Sequence, residues 1–290
     1  MNKLFLLLAC FVSGIQQYAY SQSYKEYYEL INSAELSVSQ NNFNEALDDY
    51  SLAFKIAPKN SFCRDLFNAA VVSQEAGNIA LAKSFLRNFL VNGGDIIFIK
   101  KHRKFKRIYN SEKQVFDSIV QINDKKFVHV RELYDLDQRI RMGKESWTKD
   151  TIIRHYLETF LKKGTLPTED LISFKYGADL LRVFLTHQRD LIDNYDFINL
   201  VNNGYLNNNI YALLMDMKSL DKSNSLYFCY FDIFNNKNSK IKIHFDSKNP
   251  PGIVDELGLD VRRASIYLPP LAQQRKVNPI YKKFGMLKYL

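Results

Sequence analysis

The chain has 290 residues, 46% hydrophobic and 24% charged, which is the composition of a globular protein and excludes bulk disorder. A formal net charge of +9 favours anionic surfaces without choosing among them. No stretch reaches the roughly 20 consecutive apolar residues a membrane-spanning helix needs, so no transmembrane segment is expected.

The N-terminus reads as an export signal. Lys3 is a minimal positive region, Leu4–Val12 is an apolar run, and Ala19-Tyr-Ser21 offers small residues for cleavage before Gln22. Residues 1–21 are therefore expected to be a signal peptide, and the remainder an exported protein, periplasmic or secreted. Leu7-Leu-Ala-Cys10 offers a competing lipoprotein reading with Cys10 acylated, but the apolar run continues past Cys10. Cleavage would leave Cys63 and Cys229, as one disulfide bridge or as two small core residues.

The expected fold is mainly α: tetratricopeptide-like helical hairpins over 22–122, then an all-helical domain over 123–290 with a small β-hairpin. A helix over Tyr24–Gln40 breaks at Asn41-Asn42, and a second over Asn44–Ala57 stops at Pro58. Phe43, Ala46, Tyr50, Ala53 and Pro58 occupy the aromatic, small and proline positions of a tetratricopeptide repeat. A second unit over 62–92 repeats the pattern, with Ala46 and Ala82 36 residues apart, near the roughly 34-residue period. Two such units cannot bury a continuous core alone and must dock on the helices downstream of them. Their concave face, lined by residues such as Tyr28 and Ser39, is the expected site for a protein or peptide partner.

Residues 100–107, Lys-Lys-His-Arg-Lys-Phe-Lys-Arg, hold six Lys or Arg in eight positions. Lys100, Lys101, Arg103 and Lys104 could hold an anionic envelope polymer or simply form a solvated helix face, with Phe105 and Ile108 turned inward. Nucleic acid is not expected for an exported chain. Helices are expected over Glu112–Ile122, Asp124–Gly143, Asp150–Lys163, Ala178–Ile192 and Asn207–Leu220. On the second of these, Leu133, Leu136 and Ile140 form the apolar stripe, with Asp137 at its edge facing Arg141 one turn on. Beyond Leu220, Ser225–Phe234 and the alternating Lys240–Phe245 flank an Asn-rich turn, which suggests a β-hairpin. The tail holds a short helix around Ile253–Ile266 and an extended Leu-Pro-Pro-Leu271 piece.

No phosphate loop, Gly-x-Ser-x-Gly elbow, His-Glu-x-x-His helix or Cys-x-x-Cys pair is present, so no cofactor or metal is expected. His155 with Glu158, and His187 with Asp190, could each form half a metal site or an ordinary surface pair. His187 stands out because its face is otherwise apolar, and a buried imidazole needs partners. Asp216, inward on its helix, is the expected carboxylate for it, with Asp137 on the neighbouring stripe. Three helices each offering one inward polar group can build a reactive site or a satisfied structural network.

From Phe127 to about Val277 the chain resembles a bacterial family known only as a domain of unknown function, often exported. The resemblance rests on the order of Leu136-Asp137-Gln138 with Arg141, Asp150, the Gly164 and Pro167 break, His187-Gln188-Arg-Asp190, Gly204, Tyr211–Asp216, and Val254-Asp255 through Arg263 to Leu-Pro-Pro-Leu. It implies that Asp137, Gln138, Arg141, His187 and Asp216 come together, and implies no activity. Relatives carry a Gln-x-Tyr-Gly-Thr-like segment after the Asp216 helix, where this chain has Asn224-Ser-Leu-Tyr-Phe-Cys-Tyr-Phe. Two functions are thus expected in competition. One is a non-catalytic interaction or scaffold protein using its helical repeats. The other is a hydrolase-type enzyme with His187 as base, Asp216 as its orienter, and Asp137, Gln138 or Arg141 meeting substrate.

Overall fold

The computed structural model describes residues 24–57, 61–174, 180–219, 224–225, 252–253 and 257–288. The expected signal peptide, Cys229 and nearly all of the expected β-hairpin lie outside the described residues.

The described chain is mainly helical. Helix α1 covers 24–39, and Asn41 takes the left-handed conformation at the turn (φ 63°). Then come α2 (Phe43–Ile56), α3 (Cys63–Glu75), α4 (Ile79–Val91), α5 (Ile96–Lys101), α6 (Lys106–Lys126) and α7 (Val128–Arg141). The series continues with α8 (Asp150–Leu161), α9 (Glu169–Ile172), α10 (Leu180–His187), α11 (Leu191–Asn194), α12 (Phe197–Asn202) and α13 (Asn208–Ser219). Two helices close it, α14 (Leu259–Ser265) and α15 (Leu271–Phe284). Asn224–Ser225 and Gly252–Ile253, near the two ends of the expected hairpin, pair in parallel as two-residue strands.

Small side chains set the close approaches. Ala46, Ala53 and Ala82 are fully buried, and α3, which packs on both α2 and α4, is buried nearly all round. Cys63 opens α3 as a buried residue, with Sγ 3.1 Å from the Asn92 carbonyl oxygen. The Glu169 carboxylate, 106 residues away, accepts the Cys63 N–H, so a long-range side chain caps the helix start.

Four elements differ from the sequence expectation. The short helix over 112–122 is a 21-residue helix, α6, so a domain boundary after 122 falls in its last turn. The expected helix over 178–192 stops at His187, and a short α11 comes after it. The helix expected around 253–266 spans only Leu259–Ser265. The tail past Leu271 forms a 14-residue helix with Pro279 inside it, and the proline is what hid it. Val277, Ile280, Tyr281 and Phe284 of α15 are buried, and Phe284 meets Phe43 edge-on at 5.5 Å. One continuous hydrophobic core thus runs from Tyr24 to Met286.

Tyr267, at the corner between α14 and α15, holds a positive φ of 62°. For a tyrosine this costs about 1–3 kcal/mol and needs support from its surroundings. Its ring stacks on Tyr28 at 5.7 Å, its hydroxyl donates to Asn202 Oδ1 at 2.8 Å, and its carbonyl accepts from Asn32 and Asn208.

Candidate functional site

Helix α7 buries Val130, Leu133, Asp137 and Ile140, at steps of three, four and three. The stripe therefore runs through Asp137, and Leu136 is only half-buried. A carboxylate on a core stripe is 0% exposed and costs several kcal/mol unless donors surround it. Three do. Oδ1 accepts from His187 Nδ1 at 2.7 Å and from Arg141 Nε at 3.3 Å, and Oδ2 accepts from Gln138 Nε2 at 2.9 Å.

Arg141 is itself fixed. Its Nη2 donates to Asp150 Oδ1 at 2.7 Å, at the acidic first turn of α8, and its guanidinium lies over Trp147 at 4.8 Å. The arginine ties α7 to α8 and keeps a cation beside Asp137.

His187 ends α10, and its side chain is 27% exposed. An ionised carboxylate only accepts, so Nδ1 carries the proton toward Asp137 and Nε2 holds the lone pair in the neutral ring. Among the described residues no hydroxyl, thiol or carbonyl is bonded to Nε2. The next residue, Gln188, is buried, and its Nε2 has no hydrogen-bond partner among the described residues.

His187, Asp137, Gln138 and Arg141 are thus brought together. The carboxylate on His187 is Asp137 rather than Asp216, because α10 ends with its imidazole over α7. Asp216 is fully buried on α13, which packs on α10, and is not bonded to His187. Asp137 is sealed from solvent and Arg141 is spent on two carboxylates, so neither is placed to meet a substrate. The acids of both histidine pairs weighed as half metal sites are taken by Arg154, which bonds Glu158 and Asp190.

Tyr28 is buried, donates to the Leu206 carbonyl at 3.1 Å and is stacked between Phe62 and Tyr267. It is a core residue and offers no surface to a peptide. Ser39 Oγ donates back to the Leu36 carbonyl at 2.6 Å, an intrahelical bond. Lys100, Lys101, Arg103 and Lys104 are exposed, and Lys104 pairs with Glu75. Phe105 and Ile108 point inward as expected.

A second polar cluster had no place in the sequence reading. Arg64 on α3 donates to Glu35 of α1 and, at 2.7 Å, to Asp65 and to the Tyr281 hydroxyl of α15. Tyr281 donates to Glu35 and Tyr27 to Asp65, each at 2.7 Å. One buried cation serves two buried carboxylates, and burial pushes both Glu35 and Asp65 above the ordinary carboxylate range against the pull of Arg64. The signal was available: a charged Arg-Asp pair inside a helix apolar enough to be wholly buried must find partners.

No family model, curated protein or solved structure matches this chain. Its function rests on its own geometry.

Proposed function

We propose that the chain is a hydrolase-type enzyme in which His187 is the general base and Asp137 its positioning residue. The observation that carries this reading is one hydrogen bond, the 2.7 Å contact from His187 Nδ1 to a wholly buried carboxylate. It sets the tautomer, so the basic Nε2 is the atom left for chemistry. With no serine, threonine or cysteine bonded to Nε2 among the described residues, water is the nucleophile that fits. Nε2 takes a proton from that water as its oxygen attacks an electrophilic carbon or phosphorus, and the ring returns the proton to the leaving group. Asp137 balances the imidazolium that forms, while Arg141 and Gln138 hold the Asp137 carboxylate in place. The apolar run Leu4–Val12 behind Lys3 is the sequence feature that favours export of this enzyme.

A binding role for the front helices is the second reading, and the period shared by Ala46 and Ala82 favours tetratricopeptide-like units there. It needs a face other than the one carrying Tyr28, which the chain's own Tyr267 covers.

The test is turnover of a panel of chromogenic esters, amides, phosphoesters and glycosides. His187→Ala should remove activity on the responsive substrate by about 10²–10⁴-fold. Asp137→Asn should cost nearly as much, while Glu35→Gln, in the other cluster, should leave it intact. Activity that survives His187→Ala, or no turnover by the wild-type protein across the panel, would overturn the proposal.

A further inference from the structure

The basic run at 100–107 does not stand alone. His102 Nε2 lies 3.0 Å from the Phe284 carbonyl oxygen at the end of α15, so the last turn of that helix is pinned against the run. That turn carries Lys282 and Lys283, both exposed. Two segments about 180 residues apart therefore merge into one cationic surface. Among the described residues, Lys104 alone of the eight cations in these segments has a carboxylate partner, Glu75. Lys100 sits over the Tyr109 ring and Lys283 reaches Asn41, contacts that leave the charges uncompensated.

The apolar and aromatic groups between these cations decide what the surface can hold. Phe105, Ile108, Phe284 and Met286 are all buried. A surface that enters a bilayer presents apolar side chains among its cations, and one that grips single-stranded nucleic acid presents aromatic platforms for the bases. Neither is offered within these segments. What they offer is charge alone, on rigid helix ends.

We infer that this two-segment surface binds an acidic polysaccharide, a flexible chain of repeated carboxylate or sulfate groups. Contact is electrostatic, spans both segments at once, and weakens steeply as salt is added.

The experiment uses the full chain and a fluorescently labelled oligouronate, with binding monitored by anisotropy from low to high salt. Lys101→Glu with Arg103→Glu should weaken binding about tenfold at low salt. Lys282→Glu with Lys283→Glu should do the same, and both pairs should flatten the salt dependence. Lys25→Glu, at an exposed position of α1, serves as the charge control and should bind as wild type. Because Lys283 also holds Asn41, Lys282→Glu alone is included and should show a smaller loss in the same direction. The inference is overturned if the Lys282 and Lys283 variants bind like wild type. It is equally overturned if single-stranded DNA or anionic phospholipid vesicles are held more tightly than the oligouronate.

Discussion

Arg64→Met tests how the C-terminal helix is held. The arginine side chain is 6% exposed and is the cation that holds Glu35 and Asp65 together, with Tyr281 of α15 in the same network. Methionine fills a similar volume and keeps helix propensity, so the lost charge dominates the outcome. Removing one partner of a buried ion pair typically costs about 3–5 kcal/mol, because the orphaned charge stays buried. Here two carboxylates would be orphaned, with only the tyrosine hydroxyls left to donate, so the upper part of that range is expected. At about 2–4 °C per kcal/mol for a chain near this size, about 4–5 kcal/mol should lower the melting temperature by roughly 8–20 °C. Glu35→Gln should cost far less, since it leaves one Arg64–Asp65 pair and removes the excess negative charge. Urea unfolding with tryptophan and circular-dichroism readouts would measure both variants. Arg64→Met within about 1 kcal/mol of wild type would refute the reasoning, since it would mean that the carboxylates are already neutral or hydrated.

The same network sets a pH dependence. Burial raises Glu35 and Asp65 above their ordinary values of 4.5 and 3.8, so their contribution is fully present below those values and is lost as pH rises through the raised ones. His102 runs the other way: burial depresses it below its ordinary 6.5, so its contribution is present above that value and lost as pH falls through the depressed one. The two trends oppose, so raising pH weakens the carboxylate contribution while it restores that of His102; Glu35→Gln should flatten the carboxylate loss on raising pH, and an unchanged loss would count against the assignment. Gly204→Ala should cost about 2–5 kcal/mol, summing left-handed strain and overpacking, because φ is +70° and a Cβ would lie 1.9 Å from Tyr24 Cζ. Adding Tyr24→Ala should recover little, since it trades the clash for a cavity. His187→Ala should change stability by less than about 1 kcal/mol, since Asp137 keeps Arg141 and Gln138 and water can reach the vacated edge; a loss above about 2 kcal/mol would make the histidine a structural group.

Helix periodicity made α1 and α2 legible nearly to the residue, and the span of α3 with α4 as one unit over 62–92, because alanines, aromatics and Asn or Gly turns all point the same way there. It also brought out His187 and Asp137, the one an imidazole on an apolar face and the other a carboxylate on a stripe. Which carboxylate meets the ring was not legible. Periodicity places Asp137 within about 100° of the stripe, and only the packed position of α10 chooses it over Asp216. Helix α15 was hidden by Pro279, whose local cost is outweighed by burial of Val277, Ile280, Tyr281 and Phe284. The corner before that helix is also why Tyr28 could not be read as core, since Tyr267, 239 residues away in sequence, stacks on it.

The central claim is that Asp137 holds His187 as a base with its proton on Nδ1. Long-range ¹⁵N–¹H NMR of histidine-labelled protein near neutral pH reads that tautomer directly. In the wild type, the neutral ring of His187 should carry its proton on Nδ1 with Nε2 bare, and Asp137→Asn should move the proton toward Nε2. A wild-type ring protonated on Nε2, or a tautomer indifferent to Asp137→Asn, would contradict the account.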